Sequence, residues 1–143
     1  MPIDESRPFT PVRIAVLTVS DTRGPAEDRS GDALVERLKA AGHELADRAI
    51  ERDDADAIVA RLRGWIANPT VDCVITTGGT GLTGRDVTPD AIERVATKMI
   101  PGFGELFRWL GYATVGPSTI QSRACACVSG APTCSRCRGR RER

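Results

Sequence analysis

The sequence predicts a three-layer α/β/α domain with a mostly parallel β-sheet. Apolar runs of strand length alternate with segments of helical spacing, in the order β-α-β-α-β-α. The first of these runs, residues 13–19, is apolar on both faces, as buried parallel strands are. Connections of this length imply right-handed crossovers between parallel strands, with helices on both faces of the sheet. The loops that follow the strands then meet at one edge, where open α/β sheets bind ligands.

Length and composition limit the class of protein. A chain of 143 residues forms one domain, and 41% apolar with 27% charged residues is typical of a globular protein. No apolar run reaches the ~20 residues of a membrane span. The polar N-terminus lacks a signal-peptide core, which predicts a cytoplasmic protein. The first 124 residues carry 15 basic and 18 acidic side chains, so this charge argues against nucleic-acid binding.

The predicted fold begins with an arm and a strand. Residues 1–11 are predicted to be an extended arm, because their three prolines oppose a helix. Residues 13–19 form a predicted strand that ends in the polar pair at 20–21, and a second polar group follows at 28–31. These polar residues either contribute to a ligand site at the strand end or form an ordinary loop with helix caps.

The next two elements repeat this pattern. Helical spacing of apolar residues predicts a helix over residues 34–41, and residues 45–50 are a weaker strand candidate. Asp53 and Asp54 then precede a second amphipathic helix at residues 58–66. Either aspartate is able to cap that helix. Asp53 also follows a strand, which places it at the same sheet edge as the polar pair at 20–21.

A glycine-rich loop follows the third predicted strand, at residues 73–75. Four glycines between positions 78 and 84 let backbone amides approach and surround an anion such as phosphate. Thr88 is a candidate N-cap of the following helix, and Pro89 suits its first turn. Asp86 and Asp90 place carboxylates beside the anion site. Carboxylates do not bind phosphate unaided, so a bridging Mg²⁺ is expected.

Dinucleotide binding and a purely structural turn are the alternative roles of this glycine loop. Gly79-x-Gly81-x-x-Gly84 has the spacing of the dinucleotide fingerprint, but it follows the third strand, and Glu105, the acidic residue about 20 positions later, falls in a helix-like segment and not at the end of a strand. No Gly-Lys-Ser/Thr follows, so it is not a P-loop. A tight turn without a ligand is the second alternative, although such a turn needs only one or two glycines.

The chain then changes character towards its C-terminus. A turn at residues 101–105 enters a helix-like segment at 106–110, in which Phe103, Phe107 and Leu110 are expected to pack. Residues 117–124 predict a loop followed by a helix or turn.

Residues 125–143 form a cysteine- and arginine-rich tail without a hydrophobic period. Its composition resembles a GC-rich gene translated in the wrong frame, which predicts a disordered tail outside a domain of residues 12–124. A four-cysteine zinc site from Cys125, Cys127, Cys134 and Cys137 is an alternative. A basic segment that contacts nucleic acid is another, although aromatic residues are not interleaved with it.

The combined motifs resemble those of the molybdopterin-binding family, which includes molybdenum cofactor biosynthesis protein B, molybdopterin adenylyltransferase and the gephyrin G domain. The resemblance begins with residues 77–81 followed by 85–90, and it covers roughly residues 10–124. Further matching segments occur in the same order at 20–21, 28–31, 101–105 and 118–124. This resemblance implies the three-layer fold and a homo-oligomer, either a trimer or a hexamer. The family's following strand and C-terminal helix are not found after residue 124.

The resemblance also implies an activity. Adenylyltransferases of the family transfer AMP from Mg-ATP to the terminal phosphate of molybdopterin, so ATP is a substrate and Mg²⁺ the cofactor. Asp53 and Asp86 match the catalytic carboxylates, which would place Mg²⁺. The other matching positions would bind the pterin, nucleotide or phosphate: Ser20, Asp21, Ser30, Gly78, Gly79, Thr80, Gly81, Thr88, Pro89, Asp90, Ser122 and Arg123. A protein that binds molybdopterin without catalysis is the alternative hypothesis.

Overall fold

The computed structural model describes residues 6–130 and confirms the predicted order of elements. The strands and helices follow one another as β1 (Arg13–Val19), α1 (Arg29–Ala40), β2 (Glu44–Glu51), α2 (Ala55–Ile66), β3 (Cys73–Thr77), α3 (Thr88–Val95), β4 (Lys98–Met99), α4 (Pro101–Val115) and β5 (Cys127–Val128). Two 3₁₀ turns, Pro25–Glu27 and Gly116–Gln121, lie before α1 and after α4.

The main sheet has the order β2-β1-β3, and both pairings are parallel. Ile14 of β1 pairs with Cys73 of β3, while Val19 pairs with Glu51 of β2. The C-terminal ends of all three strands therefore meet at one edge, as predicted. A separate two-stranded sheet joins β4 and β5 in antiparallel fashion.

Alternate side chains of β1 build the two sides of the core. Leu17 and Val19 pack with the cluster that contains Ile58 of α2 and Ala91 of α3. Val16 instead packs in a cluster on the opposite face, together with Leu38 of α1. The sheet therefore separates α1 from α2 and α3, which confirms the three-layer prediction.

Side-chain caps determine where the first two helices begin. The carboxylate of Asp28 accepts a hydrogen bond from the Gly31 N–H at 2.9 Å and caps α1. Asp54 caps α2 by accepting the N–H groups of Asp56 and Ala57. Because Asp54 performs this role, the side chain of Asp53 is left available for the sheet edge.

Helix α4 departs from the predicted packing. Phe103, Phe107 and Leu110 were expected to be packed, but they are 44%, 50% and 60% exposed. Other large apolar side chains on this helix are exposed as well: Leu106, Trp109, Tyr112 and Val115. The prediction was wrong because the described part of the chain covers only a small part of the α4 surface.

The two ends of the chain are only partly described. Residues 1–5 of the predicted arm and 131–143 of the predicted tail lie outside the described residues, as do Cys134 and Cys137 of the candidate zinc site. Within the predicted tail, Cys127–Val128 form β5 and pair with β4. Across residues 6–130, none of the helices combines the length and apolar character that crossing a membrane requires.

Candidate functional site at the sheet edge

Asp21, at the end of β1, contacts both the backbone of Asp53 after β2 and the side chain of Arg85 in the loop after β3. One carboxylate oxygen of Asp21 accepts the backbone N–H of Asp53 at 3.0 Å. The other oxygen pairs with the guanidinium of Arg85, which belongs to the glycine loop. The backbone N–H of Asp53 and the guanidinium lower the pKa of Asp21. An ionised Asp21 thus connects the ends of β1 and β2 to the loop after β3.

The glycine loop requires glycine at its first two positions. Gly78 and Gly79 have φ angles of +94° and +62°, in the left-handed region that other residues rarely adopt. A Cβ on Gly79 would lie 2.5 Å from Oγ1 of Thr88 and 2.7 Å from Oδ1 of Asp53. The space beside the loop is therefore shaped for the backbone alone, with the carboxylate of Asp53 at its wall.

Thr88 anchors this loop to α3. Its side-chain hydroxyl donates to the carbonyl of Gly78 at 2.9 Å, and its N–H donates to the carbonyl of Gly79 at 3.1 Å. The predicted N-cap was wrong by one residue, since Val87 occupies that position and Thr88 begins the helix with Pro89 after it. Because Thr88 is fully buried, its hydroxyl holds the loop backbone and is not presented to solvent.

Asp86 closes the far side of the same loop. Its Oδ2 accepts the N–H of Thr83 at 2.9 Å and the hydroxyl of Thr83 at 2.6 Å. These hydrogen bonds from Thr83 lower the pKa of Asp86. Asp86 is therefore a fixed and ionised carboxylate at neutral pH.

Asp53 has the opposite environment. Its Oδ1 is buried and, among the described residues, has no hydrogen-bond partner. Burial raises the pKa of Asp53, and the negative charges of Asp21 and Asp86 raise it further. The positive charge of Arg85 opposes this rise but does not cancel it. A carboxylate in this position favours either a proton or a cation.

Asp53 and Asp86 are the candidate ligands for a Mg²⁺ ion at this site. The buried Oδ1 of Asp53 lacks a partner within residues 6–130, and the neighbouring charge of Asp86 is also negative. The same residues contain no group of three His, Cys, Asp or Glu side chains arranged to hold a metal. Mg²⁺ commonly uses one or two carboxylates together with substrate phosphates, so two aspartates suit it.

Asp90 and Arg123, both predicted to contact substrate, contact each other. The guanidinium of Arg123 lies 2.8 Å from Oδ1 of Asp90 and donates to the carbonyl of Asp86 at 3.1 Å. The N–H of Arg123 also donates to the carbonyl of Thr80 at 2.9 Å. Arg123 therefore holds two points of the glycine loop. Ser122 precedes it, and its carbonyl accepts a hydrogen bond from Arg108 on α4.

The two predicted serines lie on the other side of Asp21. The hydroxyl oxygen of Ser20 accepts the N–H groups of Thr22 and Arg23 at 3.4 and 3.2 Å. Ser30, in the first turn of α1, has its hydroxyl 3.4 Å from the guanidinium of Arg23. The structure therefore divides the predicted residues into a glycine-loop group and a group around the loop after β1.

Arg48, whose side chain pairs with two carboxylates at the start of α1 near this second group, was not identified from the sequence. Arg48 of β2 lies 2.7 Å from both Oδ2 of Asp28 and Oδ1 of Asp32. Burial would raise the pKa of Asp28, but hydrogen bonds from Arg48, Gly31 and Thr18 outweigh it and leave the pKa lowered. An arginine in the middle of a strand was the available signal, because such a charge needs a partner.

Comparison with known proteins identifies the family of this chain. Residues 15–136 match the family described as a probable molybdopterin binding domain. The chain belongs to this family. Membership assigns it to molybdenum cofactor biosynthesis, and the matched range extends into the predicted tail.

Several members of the molybdopterin-binding family are similar to this chain in sequence. Molybdenum cofactor biosynthesis protein B of Escherichia coli K12 is 45% identical over 124 residues, which cover 87% of this chain and 73% of the relative. The Staphylococcus carnosus protein B is 47% identical over 122 residues, covering 83% and 71%.

Solved structures of related proteins have folds similar to that of this chain. A crystal structure of molybdenum cofactor biosynthesis protein B has a TM-score of 0.82 at 41% identity, covering 87% of this chain and 78% of the other. The tungsten cofactor synthesizing protein of Pyrococcus furiosus has a TM-score of 0.77 at 35% identity, covering 87% and 77%.

Proposed function

We propose that this protein binds molybdopterin and transfers AMP from Mg-ATP to its terminal phosphate. The observation that carries the proposal is the buried Oδ1 of Asp53, which has no partner in the described chain and lies beside the loop of Gly79. A phosphate held by loop amides and a carboxylate whose charge a cation would compensate are the two parts that phosphoryl chemistry requires. Family membership supplies molybdopterin as the ligand.

The proposed reaction transfers a nucleotidyl group. An oxygen of the terminal phosphate of molybdopterin attacks the α-phosphorus of ATP and forms a new P–O bond. The bond from that phosphorus to the bridging oxygen breaks, and its electron pair leaves with pyrophosphate. No proton is transferred in this step when the attacking phosphate is fully ionised.

The residues of the chain supply binding and position. Backbone amides of residues 78–81 hold the attacking phosphate, because two left-handed glycines let the backbone approach closely. Asp53 and Asp86 would hold Mg²⁺, which supplies neutralisation of the charge that develops on the phosphorus and on pyrophosphate. Asp21 fixes the backbone of Asp53, and Thr88 fixes the loop.

The experiment is a transfer assay with purified molybdopterin, ATP and Mg²⁺, followed by ³¹P NMR. The proposal expects pyrophosphate and adenylylated molybdopterin in equal amounts, and none without molybdopterin. Binding of molybdopterin without any pyrophosphate would favour the non-catalytic alternative and remove the adenylyltransferase assignment.

We also infer that the protein is a homo-oligomer, a trimer or a hexamer, in which α4 contacts another copy. The support is the row of large exposed apolar side chains on α4 and the scarcity of charge there, since its fifteen residues include only Glu105 and Arg108 as charged residues. Such surfaces are typical of interfaces between subunits. Sedimentation should show an oligomer that Trp109→Glu dissociates, and a monomeric wild type would contradict this inference.

A further inference from the structure

A cavity of about 630 Å³ lies beside the carboxylates, beyond the ends of β1 and β2. Residues 20–25 of the loop after β1 and residues 48–52 at the end of β2 line it. Small-molecule sites commonly have volumes of ~300–1,000 Å³, so the cavity has the size for a ligand such as a nucleotide. It is separate from the space beside the glycine loop, since none of residues 78–81 lines it.

The charges along this cavity favour an anion. Its two acidic side chains are already in ion pairs, Asp21 with Arg85 and Glu51 with Arg61. Arg48 is likewise paired, with the buried Asp28 and with Asp32, which fixes one wall of the cavity.

Two further arginines of the cavity take no part in these pairs. Among the ion pairs of the described residues, none includes Arg23 or Arg52. The Arg23 guanidinium contacts the neutral hydroxyl of Ser30 at 3.4 Å, and the charge of Arg52 helps to lower the pKa of Asp21. Guanidinium groups match phosphate oxygens in two parallel hydrogen bonds, so two such groups on one cavity select a phosphate-rich ligand.

Asp21 and Asp53 connect the cavity to the glycine loop. Asp21 lines the cavity, and the same side chain accepts the N–H of Asp53. Asp53 in turn reaches the wall of the glycine loop at Gly79. A polyphosphate in the cavity would therefore lie beside Asp21, which contacts the backbone of Asp53, while a phosphate at the loop would lie beside the Asp53 side chain.

We propose that Arg23 and Arg52 bind the triphosphate of a nucleoside triphosphate in this cavity. The choice of that ligand rests on the proposed adenylyl transfer, which needs two phosphate-bearing substrates at adjoining sites. The glycine loop then holds the accepting phosphate, and the arginine cavity holds the pyrophosphate part of the donor. This assigns to two arginines the selection of a triphosphate over a monophosphate.

Inorganic tripolyphosphate is the probe, and calorimetric titration of the full chain measures its affinity. The double variant Arg23→Gln/Arg52→Gln should bind tripolyphosphate about tenfold or more weakly, because two charge-assisted contacts are lost. The control Arg37→Gln/Arg94→Gln removes the same charge from helices α1 and α3 and should bind like wild type. Arg23→Lys/Arg52→Lys should recover part of the affinity. Equal affinity of the test and control variants overturns the proposal.

The assay of AMP transfer separates this proposal from the proposed function. If tripolyphosphate binding depends on the two arginines while Mg-ATP yields no pyrophosphate, the cavity site stands and the transfer activity fails. If the double variant transfers AMP with an unchanged KM for ATP, the transfer activity stands and the cavity site is overturned. A thermal melt of each variant confirms that these substitutions leave the fold intact.

Discussion

Asp28 and Asp53 both place a buried carboxylate oxygen at the same edge of the sheet, yet they are held in opposite ways. Asp28 accepts hydrogen bonds from Thr18, Gly31 and Arg48, and its pKa is lowered. Asp53 has a buried oxygen without a partner in the described chain, and its pKa is raised by burial and by two like charges. An aspartate therefore stabilises the fold at position 28, whereas at position 53 the hydrogen bonds and positive charges around it do not fully compensate its negative charge. We interpret the undercompensated charge of Asp53 as the feature that binds a cation and, through it, the substrate.

Removing the carboxylate of Asp28 should have the largest effect on stability. Asp28→Ala removes the cap of α1, the hydrogen bond from Thr18 and the buried one of the two carboxylates that pair with Arg48, and these losses together should cost about 3–5 kcal/mol. Chemical denaturation measures the loss. The matched control is Asp32→Ala, since Asp32 contacts the same arginine at 2.7 Å but is 63% exposed. It should lose less than about 1 kcal/mol. Equal losses in the two variants would show that the burial of Asp28 carries no special weight.

Removing the charge of Asp53 should instead act on catalysis. Asp53→Asn keeps the size of the side chain and should lower the rate of AMP transfer by about 10²–10³-fold, the range for a lost electrostatic contact in an active site. Asp86→Asn should act in the same direction, while molybdopterin affinity changes far less. The control Asp54→Asn keeps the cap of α2, because asparagine caps as well as aspartate. Transfer at the wild-type rate in Asp53→Asn contradicts its catalytic role.

Blocking the loop beside Asp53 should reduce phosphate binding. Gly79→Ala puts a Cβ against Thr88 and Asp53 and strains a left-handed backbone, so the affinity for inorganic phosphate should fall by about tenfold or more. Gly84→Ala is the control, because a Cβ there has no heavy atom within 4 Å. If both alanine variants bind phosphate like the wild type, the loop is not a phosphate site.

The sequence predicted the order of elements and the meeting of the polar loops for a physical reason. Both follow from local periodicity and from the handedness of parallel crossovers, which need no knowledge of distant contacts. Capping preference alone did not separate Asp53 from Asp54, because either carboxylate is able to cap α2; the strand before Asp53 and the family resemblance singled out Asp53. The pairing of Arg48 with Asp28 joins residues 20 positions apart, and no local pattern selects that partner.

Local sequence patterns also did not reveal the exposure of α4 or the contacts of Arg123 within the chain. A helix rich in apolar residues predicts burial, but the sequence does not say whether the same chain or another covers it. In the structure the guanidinium of Arg123 contacts the carbonyl of Asp86 and the carboxylate of Asp90, and the substrate contact that its motif predicts stays a prediction.

Loosening the glycine loop from outside should have the smallest effect on the site. Arg123→Met removes the contacts with Asp86 and Asp90, so KM for molybdopterin should rise a few-fold while kcat changes less. Arg123→Lys keeps the charge and should recover part of the change. Arg94→Met removes a surface ion pair with Asp56 and serves as the control. A fall in kcat alone would show that Arg123 takes part in the chemistry and not in holding the loop.

The thermal stability of Asp53→Asn as a function of pH tests the central claim most directly. A raised carboxyl pKa stabilises the fold below the unfolded value of about 3.9, and that stability is lost as pH rises through the folded pKa. The charge of Asp53 should therefore destabilise the wild type at pH 7 without ligand. We predict that Asp53→Asn melts about 2–6 °C higher at pH 7, and that the difference shrinks towards pH 3. A variant that melts lower than wild type at pH 7 would contradict the claim that the charge of Asp53 is undercompensated.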